Sequence, residues 1–341
     1  MTANYNHIIT SEATIGDALL RLNSLTDGNL TIVVVDTDNR LCGTVTDGDI
    51  RRALLKGLTL SAPVTEAVQS HCITSSELPQ RGLVNDLLAR GIKLLPIVDA
   101  EGKLIDLVDL RNFHAPIPVS ALIMAGGKGE RLRPATLTTP KPLLEINGRP
   151  IIDYVVERLR NSGIERITVA CRYLAEQLIA HFSGSNVKCI VEQQPLGTIG
   201  ALSMMVDELS DYIVVMNCDL LTTIDISEML DFLIAQEADV AIATVPYTVQ
   251  VPYAILETDG TIVKSLQEKP SYTFYANAGI YLLHKSVIDM IQPDKRLDAP
   301  DLIERAINSG KRVVSFPLKG TWVDIGTPAD FSYARQLLNK Q

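Results

Sequence analysis

Val119–Pro134 reads VSALIMAGGKGERLRP, an apolar run that breaks into a glycine-rich turn. The run Val119–Met124 is apolar nearly throughout rather than alternating, the pattern of a parallel strand buried on both faces. Glycines at Gly126, Gly127 and Gly129 let backbone N–H groups approach an anionic ligand closely. Arg131 follows within the turn and Lys141 comes shortly after it, in Thr139-Pro140-Lys141-Pro142. The stretch predicts a strand whose carboxyl end opens into a phosphate-binding turn. Ligands of α/β sheets bind beyond such ends.

The chain downstream keeps this rhythm. Pro150–Arg160 carries apolar positions at Ile151, Ile152, Val155, Val156 and Leu159, with Pro150 at its start and Gly163 past its end, so it reads as a helix. Arg166–Cys171, Val187–Val191 and Tyr212–Met216 read as strands, and Ala175–Phe182 and Gly200–Leu209 as helices. Strand and helix alternating in this way predict an α/β domain around a mostly parallel sheet.

Two common nucleotide motifs fail on the glycine turn. A dinucleotide fingerprint needs a third glycine where Leu132 stands, and no GxxxxGK[ST] string occurs. The string GGxGxRLxPxT followed by PKP instead resembles the signature of the sugar-phosphate nucleotidyltransferases, the NDP-sugar pyrophosphorylase family. Further segments resemble that family's motifs in its order. They are Glu192–Ala201 (EQQPLGTIGA), Asn217-Cys218-Asp219, Glu268-Lys269-Pro270, Asn277-Ala278-Gly279 and Trp322–Thr327 (WVDIGT).

The resemblance implies a Rossmann-like nucleotidyltransferase domain over residues 118–341 that joins a nucleoside monophosphate to a sugar-1-phosphate and releases pyrophosphate. It implies Arg131, Lys141 and Asp219 as catalytic residues, and Asp219 with Asp324 as ligands of Mg²⁺. Ala125, Gly126, Gly127, Gly129, Glu192, Pro195, Gly197 and Thr198 fall to the nucleotide. Tyr253, Glu268, Lys269, Asn277 and Gly279 fall to the sugar phosphate. Ala254 stands where the family often has glycine, which leaves the sugar open. The form of Pro195–Gly200 is similar to guanylyltransferases acting on mannose-1-phosphate or glucosamine-1-phosphate, so GTP is the expected donor. A surface-glycan or nonulosonic-acid pathway is the expected setting. Uridylyl, cytidylyl or thymidylyl transfer is the alternative within the family, and a non-catalytic nucleotide sensor is the alternative outside it.

Elementary chemistry agrees with these roles. Phosphoryl-type transfer between two anions needs charge neutralisation and alignment more than covalent chemistry. The attacking phosphate is already ionised at neutral pH, so no general base is required, and the five histidines are scattered. Taken singly, each carboxylate or cation has an ordinary explanation as a turn residue or solvated charge. Trp322 reads as packing, and His181 and His284 as structural.

Residues 1–115 are of another kind. Thr31–Arg52 (TIVVVDTDNRLCGTVTDGDIRR) and Leu94–Asn112 (LLPIVDAEGKLIDLVDLRN) repeat one unit of strand, polar turn and strand. Helical stretches, Ile15–Leu25 and Gly82–Arg90, precede each unit. The half resembles a tandem α+β pair of CBS domains, repeats 7–60 and 61–115, a module that commonly binds nucleotides and regulates an attached enzyme. The resemblance implies Thr46 and Asp49 as contacts for a regulatory adenine or guanine nucleotide. Val108 and Arg111 occupy the equivalent positions of the second repeat. CBS modules tend to pair, so a homo-oligomer is expected. The boundary falls in Arg111–Pro118, where two prolines interrupt any helix.

Composition sets the outer limits. Of 341 residues, 46% are hydrophobic and 21% charged, and the net charge is −9. That balance suits a globular protein and disfavours general nucleic-acid or anionic-membrane binding. Five dispersed cysteines without a CxxC pair argue against a disulfide framework or zinc site. No apolar run approaches the ~18 residues a membrane span needs, and MTANYNHIITSEA lacks the pattern of a signal peptide. A cytoplasmic protein is expected.

Overall fold

The computed structural model describes residues 5–205 and 210–339. The chain divides into two units, residues 1–115 and 116–341.

In the first unit, β1 (Ile8–Thr10) pairs parallel with β2 (Thr31–Val35), which pairs antiparallel with β3 (Leu41–Thr46). Helices α1 (Ile15–Ser24) and α2 (Asp47–Leu55) lay Ile15, Ala18, Leu22, Ile50 and Ala53 against Ile32, Val34 and Val45. The second repeat supplies α3 (Arg81–Ala89) and the hairpin β4 (Leu94–Val98) with β5 (Leu104–Asp109). Val33 and Val35 on β2 share a buried cluster with Leu94, Leu104 and Leu107, so the repeats bury sheet faces against each other. Alternation explains this: Ile32 and Val34 point to the helices while Val33 and Val35 point to the other repeat.

The second unit begins with β6 (Val119–Ala125). The small hairpin β7 (Glu145–Ile146) and β8 (Arg149–Pro150) leads into α4 (Ile151–Asn161). Then follow β9 (Arg166–Cys171), α5 (Ala175–His181), β10 (Val187–Val191), β11 (Tyr212–Asn217), β12 (Leu220–Thr222) and α6 (Ile226–Ala235). After these come β13 (Val240–Gln250), β14 (Ile255–Asp259), β15 (Ile262–Gln267) and β16 (Ser271–His284). The unit closes with α7 (Lys285–Ile288), α8 (Ala299–Asn308), β17 (Val313–Pro317), β18 (Trp322–Asp324) and α9 (Pro328–Leu338).

Among the described residues the central sheet runs β10-β9-β6-β11-β16-β13-β17. All its pairings are parallel except those of β16. Buried side chains cover both faces, with α4, α5 and α6 contributing to one cluster and α7 and α8 to the other. The uninterrupted apolar strands thus behave as two-sided buried strands. From β6 the chain moves outward to β9 and β10, then returns to β11 on the other side, which makes the gap between β6 and β11 the topological switch point.

One expected element differs. The helix expected over Gly200–Leu209 is a 3-10 turn, Gly200–Met204, and residues 206–209 lie outside the described residues. Backbone bonds from Ile199 N–H to the Leu297 carbonyl and from Leu297 N–H to the Leu196 carbonyl tie the segment to residues 295–297, where a Cβ on Gly200 would come within 3.1 Å of the Lys295 carbonyl, so tertiary contact rather than helical periodicity places it. No described helix is long and apolar enough to cross a membrane.

Candidate functional site

The carboxyl ends of β6, β9, β10 and β11 lie along one edge of the sheet because these strands are mutually parallel. A cavity of about 560 Å³ opens there. Its lining includes Gly126, Gly127, Gly129, Arg131, Lys141, Glu192, Pro195, Gly197, Thr198 and Asp219, as expected from the sequence. Ala125 sits buried at the end of β6, outside the lining, between Met124 and Gly126, which both line the cavity.

The glycine turn is shaped by contacts that only glycine admits. Gly129 has φ +60°, and a Cβ there would lie 3.0 Å from both Lys141 Cβ and Thr136 Cγ2. The Thr136 hydroxyl donates to the Gly129 carbonyl at 2.8 Å and holds the turn against the lysine segment. Gly197 has φ +83°, and a Cβ would meet the Leu297 carbonyl at 2.5 Å. Thr198 is stitched to the start of α8: its N–H donates to Asp298 and its hydroxyl accepts from the Ala299 N–H at 2.8 Å. Thr198 therefore anchors the segment as well as lining the cavity.

Glu192 is buried, and its carboxylate accepts the Leu196 N–H at 3.2 Å. Burial pushes its pKa up, against the opposing pull of that hydrogen bond and of Arg172.

The acidic centre is made by backbone. Asp219 follows β11, and Leu220 pairs with Asp324 in the β12–β18 ladder. The Ile325 N–H donates to the Asp219 carbonyl at 3.0 Å. Lys141, itself buried, forms an ion pair with Asp219 Oδ2. Burial raises the Asp324 pKa, and the charge of Asp219 raises it further, while Lys141 and Arg131 pull it down.

Asp219 Oδ1 is buried without a hydrogen-bond partner among the described residues. An orphaned carboxylate oxygen beside a second, desolvated carboxylate fits a hard divalent cation. No group of three or more potential protein ligands occurs among the described residues.

None of the residues expected at the sugar phosphate is in the immediate lining of that cavity. Asn277 and Gly279 lie at the sheet. The Gly279 N–H donates to Asn277 Oδ1 at 2.9 Å, and a Cβ on Gly279 would meet the Asn217 side chain, which lines the cavity. Trp322 donates to the Ala278 carbonyl of β16 at 2.9 Å and packs against the buried cluster that includes Ala278. Tyr253, Glu268 and Lys269 lie at the far end of the ribbon from the sheet. All are exposed, none lines the cavity, and they sit where a projecting β-ribbon joins its terminal hairpin.

The structure also adds Arg172, which the sequence reading did not single out, and gives a place to Asn217 and Gly326, which it quoted within motifs without a role. Arg172 and Asn217 line the cavity from the ends of β9 and β11, where their position after an apolar strand was the available signal. Gly326 does so from beyond β18, and a Cβ there would come within 3.1 Å of the Arg131 guanidinium.

In the first unit, Thr46 and Asp49 form a capping box at the start of α2. The Thr46 hydroxyl and N–H donate to Asp49 Oδ2 at 2.5 and 2.9 Å. Arg52 and Gln69 donate to Oδ1. Every Asp49 oxygen is thus occupied by its neighbours. Arg111 is paired with Asp109 and Asp27.

Comparisons with known proteins agree with this geometry. The nucleotidyl transferase family model matches residues 120–341, and the CBS domain model matches residues 4–56. A mannose-1-phosphate guanyltransferase of Saccharomyces cerevisiae is 33% identical over 231 residues, covering 62% of this chain and 63% of that protein. The Candida albicans enzyme of the same name is 33% identical over 232 residues, at 62% of each. The chain thus spans about three-fifths of the length of these relatives. Among solved structures, HddC of Yersinia pseudotuberculosis complexed with GMP-PN is 27% identical with a TM-score of 0.51, covering 64% of this chain and 99% of that one. With the switch-point cavity, the glycine turn and a family match over most of its length, the chain belongs to the nucleotidyl transferase family.

Proposed function

We propose that this chain transfers GMP from GTP to a hexose-1-phosphate, with mannose-1-phosphate the first candidate, giving a nucleoside-diphosphate sugar and pyrophosphate. The observation that carries the reading is the pair Asp219 and Asp324, joined by the β12–β18 ladder and flanked by Lys141 at the mouth of the glycine turn. The relatives named above as mannose-1-phosphate guanyltransferases support the choice of base and sugar.

In this reading the N–H groups of the glycine turn and Arg131 hold the triphosphate, and Lys141 stabilises charge on the departing pyrophosphate. Glu192, Pro195 and Gly197 border the base. Asp219 and Asp324 would hold Mg²⁺, which when bound offsets the repulsion between the two anionic substrates. The site aligns the ionised sugar phosphate for in-line attack, so orientation supplies much of the acceleration. A regulatory adenine or guanine nucleotide at Thr46 and Asp49 belongs to the same proposal. Its binding would displace the contacts of Asp49 with Arg52 and Gln69.

Pyrophosphate release over the four nucleoside triphosphates and a panel of hexose-1-phosphates, with and without Mg²⁺, tests the reading. GTP with mannose-1-phosphate should turn over fastest. Faster turnover with UTP, CTP or dTTP would remove the guanylyl assignment, and no pyrophosphate from any pair would remove the transferase.

A further inference from the structure

Between β6 and the β7–β8 hairpin, residues 126–144 run as three short 3-10 turns, Glu130–Leu132, Ala135–Leu137 and Lys141–Leu143, with bends between them. Loops longer than about 12–15 residues without sheet or helix are uncommon in compact domains, and those that occur are mostly functional. This one carries two cations of the cavity lining, Arg131 and Lys141.

Bonds within the loop shape its turns. The Leu132 N–H donates to the Gly129 carbonyl at 3.0 Å, the Leu137 N–H to the Pro134 carbonyl at 3.0 Å and the Leu144 N–H to the Lys141 carbonyl at 3.1 Å. Such local bonds do not fix where the loop stands against the sheet.

Three successive carbonyls, those of Thr136, Leu137 and Thr138, are instead taken up by one neighbouring segment. The Tyr173 hydroxyl lies 3.0 Å from the Thr136 carbonyl and 3.2 Å from the Leu137 carbonyl. A phenol has one proton to donate, so the two carbonyls share it in a three-centre bond. The Gln177 amide donates to the Thr138 carbonyl at 2.8 Å. Thr136 passes the constraint inward: it is fully buried, its hydroxyl holds the Gly129 carbonyl, and it crowds Gly129 together with Lys141.

The segment that holds the loop is itself anchored in the core. Cys171 at the end of β9 and Ala175 and Leu178 on α5 belong to the main buried cluster. Between them Arg172 lines the cavity, Tyr173 bonds the loop, and Leu174 at φ +48° turns the chain into α5. Leucine rarely occupies that left-handed region and stays there where its surroundings over-determine it. The turn thus divides consecutive side chains between the cavity and the loop beside it.

We propose that Tyr173 and Gln177 are positioning residues: they tether the loop to β9 and α5 and thereby keep Lys141 aimed at the departing pyrophosphate. The consequence for the reaction rests on the transferase reading, whereas the tether itself does not.

Two variants of the full-length protein test the tether without turnover. Tyr173→Phe removes the shared proton and keeps the ring. Gln177→Ala removes a donor from an exposed side chain, so it remains informative if the first variant fails to fold. Amide hydrogen exchange over residues 130–144, followed by mass spectrometry, should run about fivefold faster in each, with exchange of β6 and β11 unchanged. Unchanged exchange of the loop in both overturns the tether.

Kinetics test its consequence. Tyr173→Phe should lower kcat by about tenfold or more and leave the KM for GTP within about threefold of the parent. Gln177→Ala should act in the same direction and less. Residues that act as a unit are not additive, so adding Tyr173→Phe to Lys141→Ala should change the remaining rate by less than about twofold. A full further loss in the double variant, or parental kcat in a chain whose loop exchanges faster, overturns the positioning role. A parent that releases no pyrophosphate with any substrate pair defeats the transferase reading instead, and the exchange rates then decide the tether.

Discussion

Asp219 and Asp324 are neighbours because backbone hydrogen bonds make them so: Ile325 N–H reaches the Asp219 carbonyl at 3.0 Å while Leu220 pairs with Asp324. Two carboxylates are thereby held together at a cost that a cation would repay, and the two residues should respond differently to substitution.

Asp219→Asn leaves Lys141 buried without its partner, a loss of about 3 kcal/mol of stability. Asp324→Asn removes a carboxylate whose ionisation the fold opposes, as its raised pKa records. At neutral pH that variant should melt at the same or a higher temperature than the parent. Both should lose turnover by about a hundredfold or more. Thermal melts beside pyrophosphate-release rates check the contrast. Equal destabilisation of the two would contradict this account.

The glycines should rank by what a methyl group meets. Gly197→Ala faces a carbonyl oxygen at 2.5 Å with φ +83° and should cost more than about 2 kcal/mol. Gly129→Ala, with φ +60° and contacts at 3.0 Å, should cost about 1–2 kcal/mol and lower turnover by shifting Lys141. Gly127→Ala meets nothing within 4 Å and should leave stability unchanged. Denaturant titration of the three variants measures the order.

Gly326→Ala should slow the reaction without unfolding the chain. The added methyl sits 3.1 Å from the Arg131 guanidinium and displaces it from the cavity. A shift of about 1 Å in a positioning group can cost about a hundredfold in rate. A ten- to hundredfold loss is expected, roughly, with an unchanged melting profile. A variant that unfolds would point to packing instead.

Burial alone would raise the Asp49 pKa, yet the hydroxyl and N–H of Thr46, with Arg52 and Gln69, hold it below the usual carboxylate range. A carboxyl lowered on folding adds stability that is complete above its unfolded value near about 3.9 and fades as pH falls through the folded value. Asp49→Asn should therefore melt earlier than the parent at pH 7. The deficit should narrow below about pH 4. Circular dichroism melts across that range check the sign, and a deficit that widens on acidification would refute it.

Much of the fold was legible because it is written in local burial. Apolar strands such as Val119–Ala125 and the amphipathic helix Ile151–Asn161 announce themselves by periods that need no distant partner. The segment after Ile199 misled, since its apolar residues follow the packing of Leu297 and Lys295 rather than a helical turn. Arg172 escaped notice, and Asn217 and Gly326 were quoted without a role, because each acquires meaning only from neighbours brought to the same sheet edge.

By itself the sequence determined the parallel α/β character and the glycine-rich turn with the cations and carboxylates near it. These depend on residue type and short-range pattern. The tertiary structure decided which of them meet. It joined Asp219 to Asp324, laid Arg131 against Gly326, and put Tyr253, Glu268 and Lys269 together where the ribbon meets its hairpin. Such meetings follow from strand order, register and the point where a ribbon leaves its sheet, and pairings between distant segments leave no trace in the local pattern of either partner.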